Sequence, residues 1–143
     1  MSRELIAANI VTTLKTIIDN GRPKFVTREP FDFEKLSNAQ YPAVLVQTGT
    51  ETRSDATLGA DDGSREGVID YTVICYIKSG TIDTARNNLV TLLENALEAD
   101  RTRGGYAKDT QVVSVQTDEG SIHPIGGVIL TVRVLYSYIR GNA

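Results

Sequence analysis

The sequence predicts an α+β fold: an antiparallel or mixed β-sheet of four to five strands, with two helices packed on one face and a long projecting β-hairpin. Three observations carry this expectation. Ile69, Tyr71, Val73, Cys75 and Ile77 alternate with Asp70, Thr72 and Lys78, so one side of a strand is dry and the other wet. After a break at Ser79-Gly80, Ile82, Ala85, Leu89, Leu92, Leu93, Ala96 and Leu97 recur every three or four residues, the stripe of an amphipathic helix. Along the whole chain the order reads helix, short strand, strand, strand, helix, strand, strand, which suits one layer of helices on one sheet.

The first helix is expected from Ser2, a capping residue, with Glu4 facing the positive end of its dipole. Its stripe is Ile6, Ile10, Leu14, Ile17 and Ile18, and Asn20-Gly21 with Pro23 should end it. Residues 25–29 read as a short extended piece before Pro30. Phe31 and Phe33 then fall in a predicted helical turn at 31–36, and they are expected to plug the edge of the core.

Tyr41-Pro42 introduces a strand over 43–53. Its first half is apolar on both faces, the pattern of a central strand, and its second half is threonine-rich and charged. Between Ser54 and Arg65 the composition turns to Gly, Asp, Ala and Ser, with a turn signal at Asp61-Asp62-Gly63-Ser64. Residues 44–78 therefore form a long hairpin with a charged tip. The helix over 81–99 has Thr81 as its expected cap and Asp83 in its first turn; Arg101 and Arg103 follow it, and Gly104-Gly105 breaks the chain. A strand over 112–117, a connection over 118–127 and a long strand over 128–140 complete the order. In that last strand Val128, Leu130, Val132, Val134, Tyr136 and Tyr138 share a face.

The chain has 143 residues, with 15 Lys and Arg against 18 Asp and Glu and a formal net charge of −3. That length suits a single domain, residues 1–143, with a sizeable core. The acid balance argues against free nucleic-acid binding, which shows a basic face. A lone Cys75 excludes an intrachain disulfide. No apolar run reaches the roughly 20 residues that span a bilayer, so no membrane partner is expected.

The search for chemistry finds no catalytic constellation. His123, the single histidine, precedes Pro124 in a Gly-flanked loop and is read as solvent-facing. Cys75 lies on the apolar line of its strand and reads as a small core residue. Asp61 and Asp62 with Glu51, Asp55 and Glu66 have oxygens enough for Ca²⁺, but not the spacing of an EF-hand. Residues 59–64 lack the spacing of a phosphate loop, and Asp118 and Glu119 are chain neighbours that point apart. No cofactor, metal or catalytic residue is assigned.

The remaining signal is shape: a small core carrying a charged hairpin with few apolar side chains, the kind of arm with which a ring subunit reaches a neighbour. In this pattern the chain resembles the tail terminator (tail completion) proteins of tailed bacteriophages. The resemblance covers nearly the whole chain. It runs through the opening helix at 3–19, Tyr41-Pro42-Ala43-Val44-Leu45-Val46, the strand at 67–78, Thr81-Ile82-Asp83-Thr84-Ala85-Arg86-Asn87-Asn88-Leu89 and the closing strand at 127–141. It is one of element order, length and flavour, without a sharp motif, so no family residue is carried over.

The resemblance implies a structural virion protein of the tail or neck and not an enzyme. Its partners would be copies of itself in a homo-hexameric ring, the tail tube protein, a neck or head-completion protein, and DNA passing unbound through the lumen. The expected interface is the hairpin tip: Glu51, Arg53, Asp55, Asp61, Asp62, Arg65 and Glu66. The alternatives are another small neck or tail-tube subunit, or a ligand-binding or enzymatic α+β domain using a pocket between helix and sheet.

Overall fold

The computed structural model of the chain describes residues 2–55, 63–117, 125–139 and 141. The elements are α1 (Ser2–Lys15), β1 (Phe25–Thr27), β2 (Ala43–Asp55), β3 (Ser64–Lys78), α2 (Ile82–Ala99), β4 (Asp109–Thr117) and β5 (Ile125–Ile139). The strands form one mixed sheet in the order β1-β2-β3-β5-β4. Only β1–β2 is parallel; the other three ladders are antiparallel. This is the α+β architecture that the periodicities predict.

One face of the sheet is buried under both helices. Ile69, Tyr71, Val73, Cys75 and Ile77 of β3 sit beside Val44 and Val46 of β2 and Val128 to Val134 of β5 in the cross-strand register. They pack with Ile6, Ile10 and Leu14 of α1 and Leu89, Leu93 and Leu97 of α2 in one cluster of buried side chains. The alternation read from β3 and β5 is therefore the burial pattern observed. Cys75 is buried in this core, and desolvation raises its thiol above the ordinary range.

Two glycines make the packing possible by leaving out a side chain. A Cβ on Gly126 would lie 2.4 Å from Cγ1 of Ile82, where the start of α2 crosses β5. A Cβ on Gly67 would lie 2.4 Å from the Tyr136 ring, which covers that position.

The structure corrects several expectations. Helix α1 ends at Lys15, short of Asn20-Gly21; Ile17 is buried beyond it but Ile18 is 84% exposed. The first half of β2 lies between β1 and β3 and is buried on both faces, as its apolar pattern predicts. Ala43 and Leu45 are buried on the far face by local cover. There Phe33 stacks on Tyr76 with ring centroids 4.7 Å apart, and Phe31 meets both Tyr76 and Phe25. The phenylalanines thus close a patch of the second face, where the predicted helical turn is the short 3-10 turn Phe33–Lys35. The Tyr41–Pro42 peptide is cis.

Strand β4 begins at Asp109, three residues before the predicted 112. In α2 the buried line is Arg86, Leu89, Leu93 and Leu97, with Leu92 only partly buried. Thr81 stands at the N-cap of α2, but its hydroxyl makes no capping bond; its N–H donates to Oγ of Ser79.

Candidate interface at the base of the hairpin

The β2–β3 ladder runs past the N-terminal end of α1, so its outer part has no helix over it. A register shift between Thr48 and Glu51 marks where the strand leaves the covered sheet. Beyond it, Glu51, Arg53, Asp55, Arg65 and Gly67 continue the helix-side face, with Tyr136 and Tyr138 of β5 alongside.

These residues make one polar network. The Glu51 side chain is only 10% exposed. Nε of Arg3 lies 3.2 Å from its Oε1, the Tyr136 hydroxyl donates to the same oxygen at 3.2 Å, and Arg53 pairs with Oε2. Hydrogen bonding to Glu51 holds the Arg53 guanidinium above its ordinary range, while burial raises the Tyr136 phenol. The Arg53 guanidinium lies over the Tyr138 ring, 5.1 Å from its centroid. Tyr136 and Tyr138 stack at 5.7 Å. Further out, Arg65 pairs with Asp55 at 2.9 Å and donates to the Tyr138 hydroxyl at 3.4 Å. Glu66 faces the opposite side, where Nζ of Lys108 meets it at 2.9 Å.

Of the seven residues predicted for an interface, Glu51, Arg53, Asp55 and Arg65 are brought together and Glu66 lies on the other face. Asp61 and Asp62, like His123, Asp118 and Glu119, lie outside the described residues. The charges of the hairpin base are satisfied within the chain, which makes it a braced, nearly neutral stalk. Sequence reasoning missed Arg3, Lys108 and the two tyrosines as its partners. The available signal was Tyr136 and Tyr138 extending the apolar line of β5 past the length that the helices can cover.

The three described carboxylates of the considered Ca²⁺ set, Glu51, Asp55 and Glu66, each face a cationic side chain. Among the described residues no group of three or more His, Cys, Asp or Glu is placed to hold a metal ion. None of their helices is long and apolar enough to cross a membrane. Two hollows flank α2. One, of about 410 Å³, is lined by Thr13, Ile17, Ile18, Asp19, Leu92 and Ala96 among others. The other, of about 380 Å³, lies between α2 and the sheet, against Asn20, Pro42, Ile77, Asn88, Leu89 and Leu92 among others. Among the described residues Asp19 is the one titratable side chain in either lining, and they supply no acid–base pair there.

No protein-family model matches the sequence, and no curated protein matches it. Among solved structures, the fold is similar to that of a chain in the virion of a native gene transfer agent particle. The TM-score is 0.60 at 13% sequence identity, over 92% of this chain and 94% of that one. Identity at that level shows a shared fold, matched nearly end to end in both chains.

Proposed function

We propose that this chain is a structural ring subunit of a phage-like virion: a tail terminator that caps the completed tail tube and offers the surface to which the head is joined. The observation that carries the reading is the nearly full-length fold match to a virion chain. The braced hairpin supports it: Arg65, Glu66 and Gly67 of β3 pair with both β2 and β5, a stiff three-stranded base from which a subunit can reach a neighbour. On this reading the chain is not an enzyme. It works in the tail or neck of the particle after assembling in the host cytoplasm. Its partners are its own copies in a hexameric ring, the tail tube below and a neck or head-completion protein above, and DNA passes through the lumen without specific binding.

The contact at a ring interface or against the tube is made by the hairpin tip, whose residues as read from the sequence are Glu51, Arg53, Asp55, Asp61, Asp62, Arg65 and Glu66. Polar contacts of this kind fix register and partner choice more than affinity. The ring is tested by sedimentation and negative-stain microscopy of the purified protein. The arm is tested by replacing residues 58–64 with a short Gly-Ser closure. The expected outcome is a folded core that fails to form rings or to complete tails. Normal rings and infectious particles from that variant would overturn the role of the arm, and a protein that stays monomeric at every concentration would overturn the ring.

A further inference from the structure

Among the described residues, two strand edges of this sheet pair with no other strand over most of their length, and they lie at opposite ends of the sheet. Strand β4, 9 residues long, ends the sheet on one side. On the other side β1 covers β2 only at Ala43 to Leu45, which leaves residues 47–55 as an open edge among the described residues. Natural edges are blunted by Lys, Pro, short length or a β-bulge. Each of these two edges carries one local register shift, between Val112 and Ser114 in β4 and between Thr48 and Glu51 in β2, but none of the other devices over most of its length. Here residues 110–117 contain no charged residue, Pro or Gly, and Val113 and Val115 are 40% and 47% exposed. Residues 47–50, Gln-Thr-Gly-Thr, are likewise uncharged and exposed. An edge of this composition pairs with another strand when one of the right direction is offered.

The direction is right for a second copy of this chain. The ladders β2–β3, β3–β5 and β5–β4 are all antiparallel, so β2, β3, β5 and β4 alternate in direction. Setting β4 of one copy beside residues 47–55 of the next continues the alternation and keeps the helix layers on the same side. The charges also fit. An uncharged strand meets one whose Glu51, Arg53 and Asp55 are already paired within their own chain.

We infer that the ring contact is an antiparallel strand pairing, in which the β4 edge of each copy, around Val113 and Val115, takes up the outer half of β2 from its neighbour. The two edges are different surfaces, so the contact is head to tail and closes into a ring when the rotation per copy allows it. The inference rests on the ring reading above but is separable from it.

The test compares two double variants of the full chain. Val113→Lys with Val115→Lys puts charge on the edge at exposed positions. Asn87→Lys with Thr91→Lys adds the same charge to the exposed side of α2. A third variant, Gln47→Cys with Thr117→Cys, is treated with a short bifunctional maleimide, beside each single substitution and the wild type, whose Cys75 is buried. The expected result is a folded monomer from the edge variant, rings from the helix variant, and a ladder of cross-linked species from the double-cysteine protein that neither single variant gives. Rings that persist in the edge variant, with no ladder in the double-cysteine protein, overturn the strand pairing and leave the ring reading standing. A wild-type protein that is monomeric at every concentration overturns both.

Discussion

Arg103 is fully buried in the turn after α2 and adopts a left-handed conformation at φ +50°, followed by Gly104 at +71° and Gly105 at +96°. Its guanidinium donates to the Leu97 and Asp100 carbonyls, the open end of the helix, and to the Thr13 hydroxyl of α1 at 3.5 Å. Burial draws its pKa below the ordinary arginine range, opposed by the charge of Asp100. Removing the side chain leaves buried carbonyls without a donor, so Arg103→Gly should cost about 1–3 kcal/mol in a denaturant melt. Arg103→Ala should cost about 1 kcal/mol more, because alanine keeps the left-handed strain that glycine relieves.

Tyr71 gives a second residue-scale prediction. Its buried hydroxyl donates to the Arg3 carbonyl at 3.1 Å, and burial pushes its pKa up to about 12. The unfolded chain loses that proton near pH ~10. The protonated phenol therefore stabilises the fold fully below that pH, and this contribution is lost as the pH climbs toward about 12. Tyr71→Phe should flatten the fall in the urea midpoint between about pH 9.5 and 11.5, although it removes one hydrogen bond at neutral pH.

At the scale of elements, α2 is held by a line one position away from the widest part of its sequence stripe. Leu93 is fully buried while Leu92 faces the hollows beside α1 and the sheet. Leu93→Ala and Leu89→Ala should each cost about 2–5 kcal/mol, and Leu92→Ala clearly less. Equal losses at 92 and 93 would place the helix in a different rotation. The crossing of α2 over β5 depends on Gly126, as the covering of β3 by Tyr136 depends on Gly67. Gly126→Val should destabilise by about 1–3 kcal/mol, because its side chain would enter the space of Ile82. Unchanged thermal midpoints would show that α2 can shift freely on the sheet.

At the scale of the whole molecule, the sheet is covered on one face and only partly on the other. The open side carries the Asp70–Arg133 pair at 2.9 Å, with Thr72, Ser114 and Thr131 nearby in the register and Ile74, Ile129 and Leu135 on the same face, so its charges are balanced and its surface mixed. Arg133→Ala would leave Asp70 without this partner on a partly exposed surface, where such pairs contribute little. The thermal midpoint should move by no more than a degree or two, given ~2–4 °C per kcal/mol for a chain of this size. A large drop would mean that this face is buried against something in the assembled protein.

The number and order of the main elements, the hairpin and the dry faces of β3 and β5 were legible in the sequence. Each follows from a period carried by neighbouring residues, and alternation or a three-to-four spacing survives in any compact arrangement. Tertiary structure decided the rest. It placed β5 between β3 and β4, put β2 beside the edge, and buried Leu93 in preference to Leu92. It also turned Arg103 inward and paired Glu51 with Arg3 and Tyr136, and Glu66 with Lys108. These choices join residues far apart in the chain, whose energies depend on which segments meet, and no local period records them. The open edges of β4 and β2 belong to the same class, because a strand is an edge only with respect to the sheet that surrounds it.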